Sequence, residues 1–366
     1  MKPSLAAIII LFSLFIKTEA QSLASIPHYT LTSAGSYFEG FVLKHDRYMT
    51  QLAQGITRGF EIDLDRNTYG YQVWEQVYHY PDAGVSISGF DYGSPLLGQS
   101  LALAAHADFY LVRKKRLELT FRLGAGIGLH DKPYNRETNN QNIAVGSPVT
   151  NCIGLKLGLN YRIGNLGKIT AGLETTHFSV AAYTQPNKGL NIITAGAGFA
   201  WRISPSTPEF IPLQENYTGE RSLRYQANFS FGMKQIPPIG SPRYPVYGFT
   251  FYLSKPVSKT NILCLGIDGF DNTALKARQE QTYSGLKNAP DVKRIGITAG
   301  HELMLNRISL LTQFGVYVYR PYKVEKPVYQ RYALNYYISD HFYIHYGFVS
   351  HYAKASHGEL GLGIRL

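Results

Sequence analysis

The sequence predicts an all-β protein, an antiparallel outer-membrane β-barrel in which an eight-stranded unit is followed by a second set of about eight strands. Three observations lead to this prediction. The chain opens with a signal peptide and has no later apolar span, its strand-like runs are long and alternate in polarity, and its turns differ in length between the two ends of the strands. An exported chain without spanning helices is either soluble or a membrane β-barrel.

The first twenty residues have the layout of a secretory signal peptide. Lys2 precedes an apolar run from Leu5 to Ile16, and the small residues Thr18 and Ala20 suit cleavage after Ala20. The run is too short for a membrane span, and no later segment has eighteen uncharged apolar residues. We therefore expect export to the outer membrane of a Gram-negative cell. This destination excludes nucleic acid as a partner, and the net charge of +11 suits lipopolysaccharide or other anionic outer-membrane lipids.

Long runs with a period of two supply the strands. In Leu117–Leu129 every odd position is apolar, whereas the even positions hold Glu118, Arg122, threonine and glycines, so the two faces differ. A soluble sandwich turns the polar row outward and a membrane barrel turns it inward. Runs of about nine residues or more, with glycines and opposed charges in the polar rows, favour the barrel. So do the tight turn at Arg113–Arg116 and the long loop at Asp131–Val149.

A proline-rich segment separates two sets of about eight strands. Residues 204–220 contain Pro205, Pro208 and Pro212, which break strand pairing. In the first set, Tyr71–Tyr80 either lengthens one hairpin or caps the rim of the barrel. The first three strands are predicted at Tyr37–Lys44, Ile56–Leu64 and Val85–Phe90. The predicted organisation is a signal peptide at 1–20, a first barrel at 21–203, a linker at 204–222 and a second barrel-like unit at 223–366.

The two halves of the chain resemble each other. The stretch that begins at Ala104 aligns with the stretch that begins at Ala299, and the ends THFS…GAGFAWRI and SHYA…GLGIRL correspond. We infer an internal duplication. About sixteen strands can close as two eight-stranded barrels or as one wide barrel, and the long linker favours two units.

Neither a disulfide nor a metal site is predicted. Cys152 and Cys264 lie far apart in separate strand patterns, and we expect no bridge between them. His106-x-Asp108 and His301-Glu302 contain residue types that bind metals. Because no second ligand cluster accompanies them, we interpret both pairs as polar networks inside a barrel.

Candidate catalytic residues lie where two predicted strands meet, within residues 168–203. His177 and Ser179 are two residues apart and therefore share a strand face, and Asn191 belongs to the apolar row of the next strand. A serine hydroxyl becomes nucleophilic when an imidazole takes its proton, and a third group, which can be an amide, must orient the imidazole. The ordinary alternative is that these polar residues mark the interfacial rim of the barrel.

The sequence around this pair resembles the outer-membrane lipid A 3-O-deacylases, also called acyloxyacyl hydrolases, over roughly residues 35–203. The resemblance rests on the His177-Phe178-Ser179 strand, the PNKGLN loop at 186–191, the GAGFAW strand, and the pieces GFEIDL, FDYGSPLLG and TNNQNIAVGS. It implies an eight-stranded barrel whose His-x-Ser pair faces the outer leaflet and hydrolyses the ester-linked 3-hydroxyacyl chain of lipid A. It also implies Ser179 as nucleophile and His177 as general base, then acid toward the leaving sugar hydroxyl, without a cofactor.

Two positions depart from the pattern of this family. Asn191 stands where the family has its acidic triad member, and Val180 stands where the family usually has an asparagine that helps to hold the oxyanion. Glu174 is no substitute, because its parity points it into the barrel. The second half keeps a histidine at His351 but has Ala353 in place of the serine. We predict a structural or lipid-gripping role for that copy.

The leading interpretation is an outer-membrane serine esterase that acts on lipid A. The alternative is a barrel with a degenerate site and a structural or lipopolysaccharide-binding role. A porin is a third interpretation, less suited because eight-stranded units are too narrow to conduct well. Lys132 and Arg136 in the long loop either contact lipopolysaccharide phosphates or are simply solvated. No oligomeric state is predicted.

Overall fold

The computed structural model has the predicted all-β architecture of antiparallel strands. It describes residues 28–204, 208–213, 222–282, 289–352 and 354–366. The predicted signal peptide, most of the predicted linker and Ala353 lie outside the described residues, and the domain boundaries given above stay predictions. None of the helices within the described ranges is long and apolar enough to cross a membrane.

The first barrel consists of eight strands and closes on itself. Each strand pairs antiparallel with the next, and the last returns to pair with the first. The strands are β1 (Tyr29–Val42), β2 (Thr57–Thr68), β3 (Asp82–Asp91), β4 (Gln99–Arg113), β5 (Leu117–His130), β6 (Val149–Ile163), β7 (Gly167–Ser179) and β8 (Leu190–Arg202).

The second barrel is also a closed set of eight, so the described strands form two narrow barrels and not one wide barrel. Its strands are β9 (Arg224–Gln235), β10 (Arg243–Pro256), β11 (Asn261–Asn272), β12 (Arg294–Leu305), β13 (Ile308–Tyr319), β14 (Val328–Tyr337), β15 (Phe342–His351) and β16 (Lys354–Arg365). The α-helices of the described residues are α1 (Val73–Val77) and α2 (Thr273–Thr282), and a short 3-10 helix spans Arg47–Met49. The stretches that align in sequence occupy equivalent places, β4–β5 with β12–β13 and β7–β8 with β15–β16.

Both barrels have apolar outer faces and charged interiors. Leu173 on the outside of the first barrel is 60% exposed. Inside, the guanidinium of Arg122 donates to the two oxygens of Asp108 at 2.7 and 2.8 Å, and Lys156 pairs with Glu61 at 2.6 Å. Charges inside a barrel lie away from bulk water and must be paired. This inversion of polarity confirms the membrane barrel over the soluble sandwich.

Two strands begin earlier than predicted. β1 starts at Tyr29 and not at Tyr37, and β3 starts at Asp82 and not at Val85. After Tyr29 and Leu31 the outward row of β1 continues with the small residues Ser33 and Gly35, so its period of two is faint. The backbone ladder is nevertheless continuous from the pair of Tyr29 with Thr68 onward.

Helix α1 caps one rim of the first barrel. Of the two alternatives predicted for Tyr71–Tyr80, a longer hairpin or a cap on the rim, the structure has the cap. This rim, called the turn end here, is the end with the tight turns after β4 and β6; the opposite rim is the loop end. The described part of the linker is fixed to the turn end, because the Ile211 N–H donates to the Tyr69 carbonyl at 2.9 Å and the Tyr80 hydroxyl donates to the Ile211 carbonyl at 3.0 Å. The Tyr78 hydroxyl also donates to the Met304 carbonyl of the second barrel at 3.2 Å.

An arginine at the centre of the second barrel provides a test of this interior. Arg331 is 1% exposed, and it donates to Asp268 at 2.8 Å and to Glu359 at 2.6 Å. Arg331→Ala removes the guanidinium that neutralises two buried carboxylates, so we expect the free energy of unfolding of the second barrel to fall by about 3–5 kcal/mol. Denaturant titration in detergent measures this by circular dichroism, which follows both barrels, whereas Trp74 and Trp201 report on the first barrel alone.

The matched control is Arg307→Ala, at an exposed arginine in the tight turn after β12. Its free energy of unfolding should stay within about 0.5 kcal/mol of the wild-type value. If the two variants unfold alike, the ion cluster around Arg331 does not stabilise the barrel.

Candidate active site at the loop end of the first barrel

Strand β7 carries His177 and Ser179 to the outer face of the barrel at its loop end. On the same face the odd residues from Ile169 to Thr175 are exposed, whereas Phe178 is fully buried inside. In the ladder His177 lies directly opposite Asn191 on β8. The alternation of the strand therefore places the three predicted residues as the sequence pattern suggested.

A chain of hydrogen bonds fixes the His177 ring. Its Nδ1 donates to Oδ1 of Asn191 at 2.6 Å, and the Nδ2 of Asn191 donates to Nδ1 of His45 at 3.1 Å. The Nε2 of His45 then donates to the carbonyl oxygen of Lys188 at 3.2 Å. With its Nδ1 proton engaged in this way, His177 has Nε2 as its basic nitrogen. Sequence reasoning missed His45, which comes from the loop after β1.

The hydroxyl of Ser179 lies between two hydrogen-bond donors. Its Oγ accepts the Ala181 N–H at 3.2 Å and Nδ2 of Asn187 at 3.0 Å. Within the described chain this Oγ makes no hydrogen bond to His177, so one of the two side chains must rotate before proton transfer. Catalytic hydrogen bonds commonly tighten only in the substrate complex.

Asn187 is a second residue that sequence reasoning missed. The side chain of Val180, where an oxyanion donor was expected, is buried. Asn187 lies further along the same loop and brings an amide to Ser179, while its Oδ1 accepts the Val180 N–H at 3.4 Å. The loop has no period of two, so the sequence pattern could not show which of its side chains turns toward the serine.

Two neighbouring loops hold the backbone beside this site. The N–H groups of Lys188 and Gly189 donate to the carbonyls of Ile143 and Ala144, at 3.0 and 3.1 Å, in the loop before β6. On the other side the Lys188 ammonium contacts the Asp46 carboxylate at 2.8 Å, and this hydrogen bond lowers the pKa of Asp46 below its ordinary value. The long loop before β6 thus supports the site through its backbone.

The basic residues of that loop have different surroundings. The Lys132 ammonium donates to the carbonyl of Pro95 at 3.2 Å, whereas Arg136 is exposed. Contact with lipopolysaccharide phosphates stays a prediction for both.

The predicted polar network around His106 includes a third residue, Asp65. Ligand atoms of Asp65, His106 and Asp108 lie within 4.8 Å of one another. Nε2 of His106 lies 2.7 Å from Oδ1 of Asp65, and Arg122 occupies both oxygens of Asp108. The carboxylate that would have to face a cation is therefore already paired with a guanidinium.

The other side chains considered at the sequence level are not brought together. His301 lies near the outer surface with Nε2 at 2.8 Å from Oδ1 of Asn261, whereas Glu302 is fully buried inside the barrel. Cys152 and Cys264 are free thiols, each buried in a different barrel.

The histidine of the second half turns inward. The His351 ring lies against Tyr317, with centroids 5.9 Å apart, and its Nε2 is 3.2 Å from the Tyr317 hydroxyl and 3.7 Å from Glu325. Glu325 also pairs with Lys234 at 3.0 Å. His351 is thus part of an ion cluster at the mouth of the second barrel. Two roles were predicted for this copy, a structural one and a lipid-gripping one, and these contacts fit the structural role.

The fold is that of outer-membrane β-barrel proteins, and both halves match family models. Residues 58–200 match the model described as lipid A 3-O-deacylase, and residues 223–366 match the model described as the C-terminal domain of acyloxyacyl hydrolase. The two matches together take in most of the chain, which belongs to the lipid A 3-O-deacylase, or acyloxyacyl hydrolase, family. The resemblance found in the sequence is confirmed.

Solved structures of membrane barrels are similar at low identity. The crystal structure of the outer membrane enzyme PagL is 16% identical, covers 45% of this chain and 97% of its own, and has a TM-score of 0.35. The FrpB iron transporter from Neisseria meningitidis (F3-3 variant) is 10% identical over 92% of this chain and 69% of its own, with a TM-score of 0.23. A mutant of the Rh. blastica porin is 9% identical over 92% and 100%, with a TM-score of 0.19. No curated protein matches this chain.

A glycine beside the imidazole provides a test of the site geometry. Gly189 has a φ of +76°, and a Cβ there would lie 2.9 Å from Cε1 of His177. Gly189→Ala should displace the ring, because a contact that short forces one group to move. We expect phosphonylation of Ser179 by a fluorophosphonate, followed by intact-protein mass spectrometry, to slow by about 10²-fold.

Gly164→Ala is the matched control, because Gly164 has a φ of +63° but nothing within 4 Å of a Cβ. It carries similar backbone strain at the turn end, away from the site. Equal labelling rates for the two variants would contradict the importance of the ring position.

Proposed function

We propose that this protein is an outer-membrane serine esterase that hydrolyses the ester-linked 3-hydroxyacyl chain of lipid A. The observation that carries the proposal is the hydrogen bond from His177 to Asn191 beside a serine whose Oγ faces two N–H donors. Family membership supplies the substrate class. The proposed chemistry needs no cofactor.

The outer face next to the site suits a lipid substrate. Ile153 on β6 lies directly opposite His177 and is 39% exposed. Leu155 and Leu173, further toward the turn end, are 39% and 60% exposed. Acyl chains can lie along this apolar surface while the sugar and phosphates stay at the polar rim. Short turns on the periplasmic side and long loops on the external side are typical of outer-membrane barrels. The loop end would accordingly lie at the outer leaflet, where lipopolysaccharide resides.

In the proposed reaction His177 acts first as a base and then as an acid. Its Nε2 takes the Ser179 proton while Oγ attacks the ester carbonyl carbon. The resulting oxyanion accepts hydrogen bonds from Nδ2 of Asn187 and the N–H of Ala181. The C–O bond to the sugar then breaks, and the sugar hydroxyl leaves with the proton from the imidazolium. A water molecule, deprotonated by His177, attacks the acyl-serine, which frees the 3-hydroxy acid and restores Ser179.

Asn191 orients the imidazole without supplying a negative charge. Its own orientation is fixed by the hydrogen bond to His45. An amide keeps the correct ring nitrogen exposed but does not stabilise the imidazolium as a carboxylate does. We therefore infer a triad of Ser179, His177 and Asn191 that is slower than one with an acidic third member.

The decisive test is the lipid A of cells that express the wild type or Ser179→Ala. The wild type should remove one 3-hydroxyacyl chain, a mass loss seen by mass spectrometry, whereas Ser179→Ala should leave lipid A unchanged because it lacks the nucleophile. Ser147→Ala, in the loop before β6, is the control and should act as the wild type does. If lipid A is unchanged by all three proteins while they are folded in the outer membrane, the esterase proposal fails. A lipopolysaccharide-binding barrel would then be favoured.

The oxyanion role of Asn187 has a separate test in purified protein. Asn187→Ala should lower kcat by about 10²- to 10³-fold with little change in KM, since the lost hydrogen bond forms to charge that develops in the transition state. Asn187→Asp keeps an acceptor for the Val180 N–H but replaces the donor with a negatively charged oxygen, so its kcat should fall at least as far. An Asn187→Asp enzyme with wild-type kcat would show that the amide does not contact the oxyanion.

A further inference from the structure

The loop that carries Asn187 is held by the second barrel, and we propose that Gln235 of β9 is a positioning residue for the site of the first barrel. The loop comprises residues 180–189 and is called the nucleophile loop here. The expected effect of Gln235 on catalysis rests on the proposed esterase function, whereas its expected effect on the position of the loop does not.

Gln235 makes three hydrogen bonds to the nucleophile loop. Its backbone N–H donates to the carbonyl of Ala182 at 3.0 Å. Its side-chain Oε1 accepts the Thr184 hydroxyl at 3.1 Å and the Gln185 N–H at 2.5 Å. The residue is 7% exposed, so water does not offer an alternative partner to these groups.

The Gln235 side chain has a fixed orientation. Its Nε2 donates to the carbonyl of Ser241 in the following loop of the second barrel at 2.5 Å. This bond leaves Oε1 directed at the nucleophile loop. Removal of Oε1 would leave the part-buried Gln185 N–H without its acceptor, a change that the loop can relieve only by moving. Asn187 lies two residues further on and would move with it.

The nucleophile loop needs an external restraint because its backbone is strained. Ala181 and Ala182 have φ values of +47° and +66°, in the left-handed region that disfavours residues with a Cβ. Such conformations persist when the surrounding structure imposes them. The bend directs the Ala181 N–H back to Oγ of Ser179. The contact that restrains Ala182 therefore also sets a donor of the proposed oxyanion site.

Other contacts of the second barrel lie on both sides of the serine. The Tyr346 hydroxyl of β15 donates to Oδ1 of Asn151, which is directly opposite Ser179 in the β6–β7 ladder. In the loop itself the Arg243 guanidinium of β10 lies 4.4 Å from the centre of the Tyr183 ring. The second barrel thus touches the site next to the serine and beyond it. A half without its own serine can contribute to activity in this way.

The first measurement concerns the loop and does not depend on activity. Lys188 is exposed, so trypsin can cleave after it once the loop opens. In the full-length detergent-solubilised protein, Gln235→Ala should be cleaved there about tenfold faster than the wild type. Gln235→Glu keeps an acceptor oxygen for Thr184 and Gln185 but loses the donor to Ser241, so its cleavage rate should lie between those of the wild type and Gln235→Ala. The matched control is Gln226→Ala, at a buried glutamine at the other end of β9, and it should be cleaved at the wild-type rate.

The second measurement concerns catalysis. Gln235→Ala should lower kcat for lipid A deacylation by about 10- to 10²-fold and leave KM nearly unchanged, because a small displacement of Asn187 weakens transition-state binding. In an Asn187→Ala background the same substitution should lower kcat little further, because Gln235 acts through Asn187. If Gln235→Ala does not fold, Thr184→Val tests the same contact from the loop side and should raise cleavage after Lys188.

Three outcomes would overturn the proposal. They are equal tryptic cleavage of the Gln235→Ala and Gln226→Ala proteins, an unchanged kcat in Gln235→Ala, and a Gln235→Ala substitution that lowers kcat by the same factor in the Asn187→Ala protein as in the wild type. A wild-type protein that releases no acyl chain overturns the esterase function instead. The tryptic experiment then still decides whether Gln235 holds the nucleophile loop.

Discussion

In the hydrocarbon of a membrane each backbone N–H and C=O must find its partner within the protein, and sheet closure meets this demand for strands. This constraint explains much of the molecule. It gives the strands their length and the continuous ladders that join β8 to β1 and β16 to β9. It also leaves a narrow interior in which Arg122 and Arg331 each neutralise carboxylates. The backbone that is free of the strand ladders lies at the rims, and the candidate chemistry lies there too, at the last residues of β7.

The sequence predicted those parts of the protein that obey a period. Alternation along β7 and β8 placed His177, Ser179 and Asn191 on the outer face, and the ladder brings the first and third of these together. Loops have no such period. Asn187 and His45 consequently escaped prediction, although both lie within one hydrogen bond of a predicted residue.

Two further features were beyond the sequence pattern for physical reasons. Two eight-stranded barrels and one sixteen-stranded barrel need the same alternation of apolar and polar residues. Only the pairing of β1 with β8 distinguishes the two architectures. Gln235 belongs to a different barrel from the serine, and its contact depends on how two closed surfaces pack. Local alternation carries no information about such packing.

The two barrels show how one topology can carry different rims. In the first, the loop end supports a strained segment that turns back on the serine. In the second, the equivalent end is closed by Glu325, which gathers Lys234, Arg294 and His351 into one cluster. One rim is thus arranged around a hydroxyl group and the other around a buried charge.

The inward direction of His351 has a consequence for the chemistry that the second barrel can carry out. In β7 the odd residues face outward, but in β15 the odd residues Tyr343, His345 and Val349 are buried inside and Phe342 and Tyr346 are exposed. His351 therefore lies inside its barrel, whereas its counterpart His177 lies on the outer face. The β15–β16 ladder shifts its register between Val349 and Ser350, directly before His351, so this end of the strand does not keep the strict alternation of the rest. The His351 imidazole is engaged with Tyr317 and Glu325 and does not present a basic nitrogen to the outer face. An imidazole held in this way can stabilise a buried cluster, but it cannot activate a hydroxyl group at the lipid surface.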